Sequence, residues 1–249
     1  MNTVIETIMD HRSIRSFEDQ PLTKEQIESI VSAAQSASTS SFIQAYSIIG
    51  VTDKDKKKRL AELAGHQSYV EENGHFFVFC ADLYRQTLIG KLEGKKVEPT
   101  LESTEKFMVA IIDTALAAQN AVLAAESMGL GVCYIGGLRN NIYEVADLLQ
   151  LPERVIPLFG LAVGFPKKVT DKKPRLPLEH IYHENTYQGN EDEYIKQLLE
   201  YNETVSKYYE ERTAGKRKDT WTGQMGNMLE KRVRLNMKDF VESKKLNLI

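Results

Sequence analysis

His11, Arg12, Ser13 and Arg15 crowd three basic side chains and a hydroxyl into five residues, just after a segment with helical patterning. In an irregular stretch such donors suit a dianionic phosphate, which takes charge-assisted bonds from guanidinium and imidazolium groups. The same cluster at a helix end also serves as a C-terminal cap that complements the helix dipole. Three further stretches carry related chemistry. Ser38, Thr39, Ser40 and Ser41 are four consecutive hydroxyls, more than a cap requires. "YIGG", residues 134 to 137, leaves an apolar run with a glycine pair, which lets a flat ligand or a phosphate approach the backbone. "KKPRLP" places Lys173 and Arg175 around Pro174, a rigid loop carrying two cations. Each has an ordinary reading as turn or surface; together they supply donors for a flat ring and cations for a phosphate, which suggests a flavin mononucleotide (FMN).

Other chemistries are not supported. Gly90 to Lys96, "GKLEGKK", lacks both the four-residue spacing between glycines and the hydroxyl after the lysine that a phosphate-cradling P-loop needs. Gly129-Leu130-Gly131 would need a glycine at 134 to form a dinucleotide fingerprint, and Tyr134 stands there. His183-Glu184 has Tyr187 where a second zinc-binding histidine belongs, and the five His and two Cys do not fall at metal-ligand spacing. No metal is expected. No GxSxG elbow occurs, and no Ser or Cys comes with a base partner, so no side-chain nucleophile is expected.

Several elements must position these residues. The hydroxyl-to-acid or hydroxyl-to-amide spacings Thr3/Glu6 and Thr23/Gln26 match capping boxes, predicting helices over 3–10 and 23–37. "YSIIGVT" (46–52), "HFFVFCA" (75–81), "GVCYIGG" (131–137) and "VIPLFGLAVGF" (155–165) have strand composition. Pro157 cannot donate to a ladder, so the last strand is expected to pair only beyond it. Helices are expected near 53–64, 82–91, 101–128 and 140–149, then at 191–212 and 221–245 in a strandless, amphipathic tail. The alanine-studded helix 101–128 reads either as a subunit interface or as a central helix under the sheet.

The totals exclude some partners. With 32 basic and 35 acidic residues the net charge is -3, and no half of the chain is strongly cationic, so nucleic acid is not an expected partner. The apolar run Phe107–Ala125 is interrupted by Asp113, Gln119 and Asn120, and is read as a buried helix rather than a membrane span. The opening "MNTVIETIMDHRS" has no secretory-signal pattern, and Cys80 and Cys133 sit apart in apolar contexts. A cytoplasmic location follows as the expectation.

Taken in order, "HRSIR", "STSSFIQ", "GHQ", "AAESMGLGVCYIGGLRNN", the text at 156–165, "KKPRLP" and "YYEERTAGKRKDTW" resemble the FMN-dependent nitroreductase family. The likeness is to its oxygen-insensitive NADPH nitro/flavin reductase branch, of the bacillus type, and it runs nearly end to end. It implies an α+β fold: a mixed sheet flanked by helices, in an intertwined homodimer with FMN at the subunit interface. The whole of 1–249 would form one domain, with a core over about 1–180 and a helical C-terminal extension over about 181–249.

The resemblance also implies residue roles. His11, Arg12, Ser13 and Arg15, with Lys173 and Arg175, would hold the ribityl phosphate. Thr39, Ser40, Ser41, Gln67, Tyr134, Ile135, Gly136 and Gly137 would contact the ring system and ribityl chain, some from the opposite subunit; Thr39 stands where relatives can have Ser, keeping the hydroxyl. Arg212 and Arg217 match the arginines that receive the 2'-phosphate of NADPH. Phe42 and Arg234 fall at the acceptor pocket. The implied activity is a ping-pong cycle in which NADPH delivers a hydride to flavin N5 and leaves. A small aromatic oxidant, whether nitroaromatic, quinone or free flavin, then takes its place. A narrower reductase task, such as dehalogenation or disulfide reduction, and an FMN-binding redox sensor or flavin store without turnover are the rival readings.

Overall fold

A computed structural model describes residues 2–249. In chain order the elements are α1 (Thr3–Met9), α2 (Lys24–Gln35), β1 (Tyr46–Val51), α3 (Lys54–Leu63), α4 (Ser68–Glu71), β2 (His75–Asp82), α5 (Tyr84–Glu93), α6 (Glu98–Leu101), α7 (Thr104–Ser127), β3 (Gly131–Ile135), α8 (Ile142–Leu148), β4 (Val155–Gly164), α9 (Glu191–Arg212), α10 (Trp221–Leu229) and α11 (Met237–Ser243). They form two compact units. One runs up to Thr170 and takes up the chain again at Arg234–Ile249; the other is Asp171–Val233.

The first unit is built on a four-stranded sheet of order β1-β2-β4-β3, antiparallel throughout. The sheet's mixed character comes from a lone parallel bridge, Ser13 to Val132, at the β3 edge. Alternation along β2 splits the core. Phe76, Val78 and Cys80 pack with α3 and α8 residues such as Leu60 and Val145, while Phe77 and Phe79 pack with Ile30 and Ala34 of α2 and the alanines of α7. Both faces are covered, so all of β2 is buried.

Of the two readings of α7, the central helix holds for five of its alanines: Ala110, Ala117, Ala118, Ala121 and Ala125 are fully buried, while Ala115 is exposed and Ala124 half-buried. By length and composition α7 is apolar enough to cross a membrane. Its exposed large apolar residues are Met108, Ile112 and Leu116, spaced four apart on one stripe. At the other end of the sheet, Phe240, Val241 and Leu246 pack against Leu83, Leu101, Ile142 and Ile156.

Five local expectations need correction. Asn2, not Thr3, caps α1, accepting from the Ile5 amide at 3.0 Å; Thr3 is already helical. The Thr23/Gln26 capping box is present in both directions, but α2 stops at Gln35. β3 ends at Ile135, because Gly136 and Gly137 open a 3-10 turn that runs to Asn141. β4 pairs from Val155 onward; the register slips at the pair Cys80/Pro157, a bulge that accommodates the missing donor. The helix expected over 221–245 is two helices, α10 and α11. Met228, Leu229, Val233 and Leu235 between or near them are exposed, so no buried stripe continues, and Arg234 adopts a left-handed φ of 57°.

The second unit is α9 and α10 closed on Tyr201, Val205 and Tyr209, with Leu176, Tyr208 and Trp221 packed around them. Asn202 locks the pair: its Nδ2 donates to Thr222 Oγ1 at 2.7 Å, and its Oδ1 accepts from the Thr222 amide at 2.9 Å.

Candidate functional site

The stretch His11–Arg15 lies along the edge of β3. The Ile14 amide donates to the Val132 carbonyl at 2.8 Å, which buries Ile14 and aims its neighbours the other way. Gly131 makes this approach possible: a Cβ there would sit 2.8 Å from the Ile14 side chain. Arg15 lies beside Tyr69 and Cys133 and opposes the burial that pushes both their pKa values up. Tyr69 donates its hydroxyl to Gln67 Oε1 at 2.6 Å, and Gln67 Nε2 donates to the Ala64 carbonyl at 2.8 Å. A Cβ on Gly137 would stand 2.4 Å from that same carbonyl oxygen and 2.8 Å from Gln67 Nε2. Arg15, Gln67 and the Tyr134–Gly137 stretch are therefore neighbours, with Tyr69 the link between the first two.

Two basic residues of the cluster already have partners. His11 Nδ1 is 2.7 Å from Glu126 Oε1, and Arg12 pairs with the Asp10 carboxylate while its Nε donates to the Asp10 carbonyl at 3.1 Å. His11 and Arg12 are therefore already paired with carboxylates. A phosphate would share or displace those carboxylates there. Glu126 Oε2 is buried and without a hydrogen-bond partner among the described residues.

Beyond β3, the turn Gly136–Asn141 gathers cations. Arg139 donates to the Leu158 carbonyl. Burial, and then the charge of Arg234, pull its pKa below the ordinary value. Arg234 Nε donates to Asn140 Oδ1 at 3.0 Å, which brings this acceptor-pocket candidate against the glycine turn. A Cβ at Gly136 would approach an Arg139 nitrogen to 3.3 Å, so the glycine leaves room there. Tyr134 is partly exposed and held edge-on to Phe159 at 5.3 Å; Ile135 is buried.

Thr39, Ser40, Ser41 and Phe42 stand apart from this group. Their loop is tied to α5 and α7, and among the described residues none of its hydrogen bonds runs to His11–Arg15 or Tyr134–Gly137. Ser41, Phe42 and Gln44 have φ of 48°, 59° and 52°, a left-handed conformation that costs a side-chain-bearing residue roughly 1–2 kcal/mol each. Phe42 is 81% exposed. Asp113, fully buried in α7, accepts the Ser40 amide on one carboxylate oxygen and the Ala45 amide on the other, each at 3.0 Å. Gln86 Nε2 donates to the Ile43 carbonyl at 2.8 Å and Arg85 to that of Gln44 at 3.1 Å.

Lys173, Arg175, Arg212 and Arg217 lie in the second unit. The Pro174 carbonyl accepts from Tyr201 OH at 3.0 Å, fixing the Lys173–Arg175 loop to α9. Arg212 donates to the Tyr208 hydroxyl at 2.8 Å and Arg217 stacks 4.4 Å over Tyr209, whose ring is 5.2 Å from that of Tyr208. Gly215, with φ of 80°, makes the turn between the two arginines.

Sequence reasoning missed Tyr69, Arg139 and Asp113 as members of these arrangements. Arg139 directly follows "YIGGL", and Asp113 is the one acid inside the apolar run 107–125; both were visible, but without their partners.

The sheet has both faces covered, a basic stretch lies along one edge strand and two arginines flank the glycine turn; the chain belongs to the nitroreductase family. Residues 8–165 match that family and residues 173–249 match its C-terminal domain. It is 56% identical to FMN reductase (NADPH) of Bacillus subtilis (strain 168), over 99% of both chains. It is 45% identical to a Cr(VI) reductase of Pseudomonas sp. (strain G-1), over 98% of this chain and 99% of that one. The solved B. megaterium NfrA1 structure superposes with a TM-score of 0.98 at 65% identity, covering 99% of this chain and all of the other.

Proposed function

We propose that this chain is an FMN-dependent oxidoreductase that takes electrons from NADPH and passes them to nitroaromatics, quinones or free flavin. The observation that carries this reading is the line Arg15, Tyr69, Gln67, Gly137 on the β3 edge, in a chain 56% identical to an FMN reductase (NADPH). The site fits FMN. Arg15 is a cation with room for an anion, and the glycine turn keeps side chains off a flat ring. Arg139 and Arg234 add positive charge beside that turn. Bound FMN would supply two-electron chemistry, accepting a hydride equivalent from the nicotinamide and releasing electrons to the oxidant.

The chain's own residues bind and orient. His11, Arg12, Ser13 and Arg15, with Lys173 and Arg175, hold the phosphate; Gln67 and Tyr134 to Gly137 contact the ring and ribityl chain. Thr39, Ser40 and Ser41, whose loop has no hydrogen bond to that group among the described residues, serve the site of a second subunit in a homodimer. Phe42 and Arg234 border the acceptor, and Arg212 and Arg217 take the NADPH 2'-phosphate. No side-chain acid or base is required: a proton for the reduced acceptor can come from water. Residues 1–249 act as one functional domain in the cytoplasm, without nucleic-acid or membrane partners.

An anaerobic titration tests this. NADPH should bleach the flavin absorbance of the yellow protein, and a nitroaromatic, a quinone or free FMN should restore it. A protein that holds FMN but is not bleached by NADPH would be a flavin store.

A further inference from the structure

We infer that Asp113 is a positioning residue whose bidentate carboxylate clamps the loop Ser40–Ala45 in the shape that the flavin-binding hydroxyls need. The inference rests on the proposed FMN site and deepens it. Three facts meet here. Asp113 is wholly buried in α7, where an aspartate is costly to keep unless its oxygens are satisfied. Its two oxygens accept the amides at the two ends of one loop, Ser40 and Ala45. Between those ends lie Ser41, Phe42 and Gln44, three non-glycine residues in left-handed backbone. Such a conformation persists only where the surroundings over-determine it.

The carboxylate does what few groups could. Both its oxygens accept, so it draws two N–H donors to one point and fixes the span of the loop. Asparagine would accept one amide and present an NH2 to the other. Other holds, Gln86 on the Ile43 carbonyl, Arg85 on that of Gln44 and the Asp82 amide on that of Ala45, grip the loop by its acceptors and leave these two donors untouched. Asp113 need not touch the flavin. It sets where Ser40, Ser41 and Phe42 stand.

The test uses the holoenzyme of D113N and of D113N/Q44G. The Q44G change admits the left-handed φ at that position without a steric cost, so it relieves part of what the clamp holds down. Release of FMN on dilution, followed by the rise of free-flavin fluorescence, should be at least tenfold faster in D113N. Amide exchange at Phe42–Ala45 should rise with it, while β2 amides stay protected. Adding Q44G should bring the release rate back to within about threefold of wild type. Unchanged release and unchanged loop exchange in D113N would overturn the inference, as would loss of flavin that Q44G leaves uncorrected. If D113N does not fold, exchange in the wild type decides: Ser40 and Ala45 amides as slow as those of β2 support the clamp, and fast ones overturn it. A wild type that binds no FMN would instead sink the functional reading, leaving the exchange data to judge the clamp alone.

Discussion

The guanidinium carbon of Arg217 stands 4.4 Å above the ring centre of Tyr209 while its Nε donates to Asp219 at 2.6 Å. Arg212 donates to the hydroxyl of the adjacent Tyr208 at 2.8 Å, with its guanidinium carbon 5.8 Å from the centre of that ring. Both arginines are thus oriented with nitrogens to spare, and a planar fork suits the dianionic 2'-phosphate that NADH lacks. Replacing both by Ala should raise the Michaelis constant for NADPH at least tenfold, equivalent to about 1.4 kcal/mol of lost binding. NADH turnover and FMN content should stay close to wild type. Steady-state kinetics with both nucleotides checks this; a parallel shift for NADH would mean that the pair does not read the phosphate.

Arg15 and Lys173 are the cations to remove for a test of the flavin site. Arg15 lies beside Tyr69 and Cys133 rather than being spent on a carboxylate, unlike His11 and Arg12. Arg15→Ala or Lys173→Ala should each remove a charge-assisted bond of ~1.5–3 kcal/mol and speed FMN loss on dialysis. Full flavin occupancy in the Arg15 and Lys173 variants after extended dialysis would count against their assignment.

How much of this was legible in the residues depended on distance along the chain. The four strands show in their β-branched and aromatic composition, and only ends slip: β3 by the glycine pair, β4 by Pro157. Contiguous donors such as His11–Arg15 and Tyr134–Gly137 are visible because local spacing carries them. Their mutual placement is not, since it is made by the β3 edge and by Tyr69. The Asp113 clamp joins residues 73 and 68 positions apart, and the Arg234–Asn140 bond spans 94. Nothing in a local pattern says where a buried acid finds its amides. The split of the expected last helix has the same origin, because α10 and α11 belong to different units.

The exposed stripe Met108, Ile112, Leu116 on α7 predicts self-association. Three large apolar side chains spaced four apart, each about half exposed, form a patch of the kind that marks an interface. Light scattering of the flavin-loaded protein should give twice the 28.3 kDa chain mass. Ile112→Glu should shift it toward the monomer and release FMN together, because the loop Thr39–Ser41 is proposed to serve the partner's site. A monomer that keeps its flavin would refute a shared site.

Acid should destabilise the fold through His75. This residue is buried on β2, packed 4.3 Å from the ring of Phe77, and its Nε2 has no hydrogen-bond partner among the described residues. Burial, and then the charge of Lys57, lower its pKa to about 4 from the ordinary 6.5. The folded chain therefore keeps the ring neutral over a range where the unfolded chain binds a proton. Its contribution is fully present above pH 6.5 and is lost as pH falls from 6.5 toward 4, by up to about 3 kcal/mol. His75→Leu removes the titration while keeping an apolar side chain of similar reach. Stability of the wild type measured by urea unfolding should fall between about pH 6.5 and 4.5 more steeply than that of the variant, and the two curves should run parallel above about pH 7. Parallel curves throughout would mean that the histidine is protonated as readily in the folded chain as in the unfolded one.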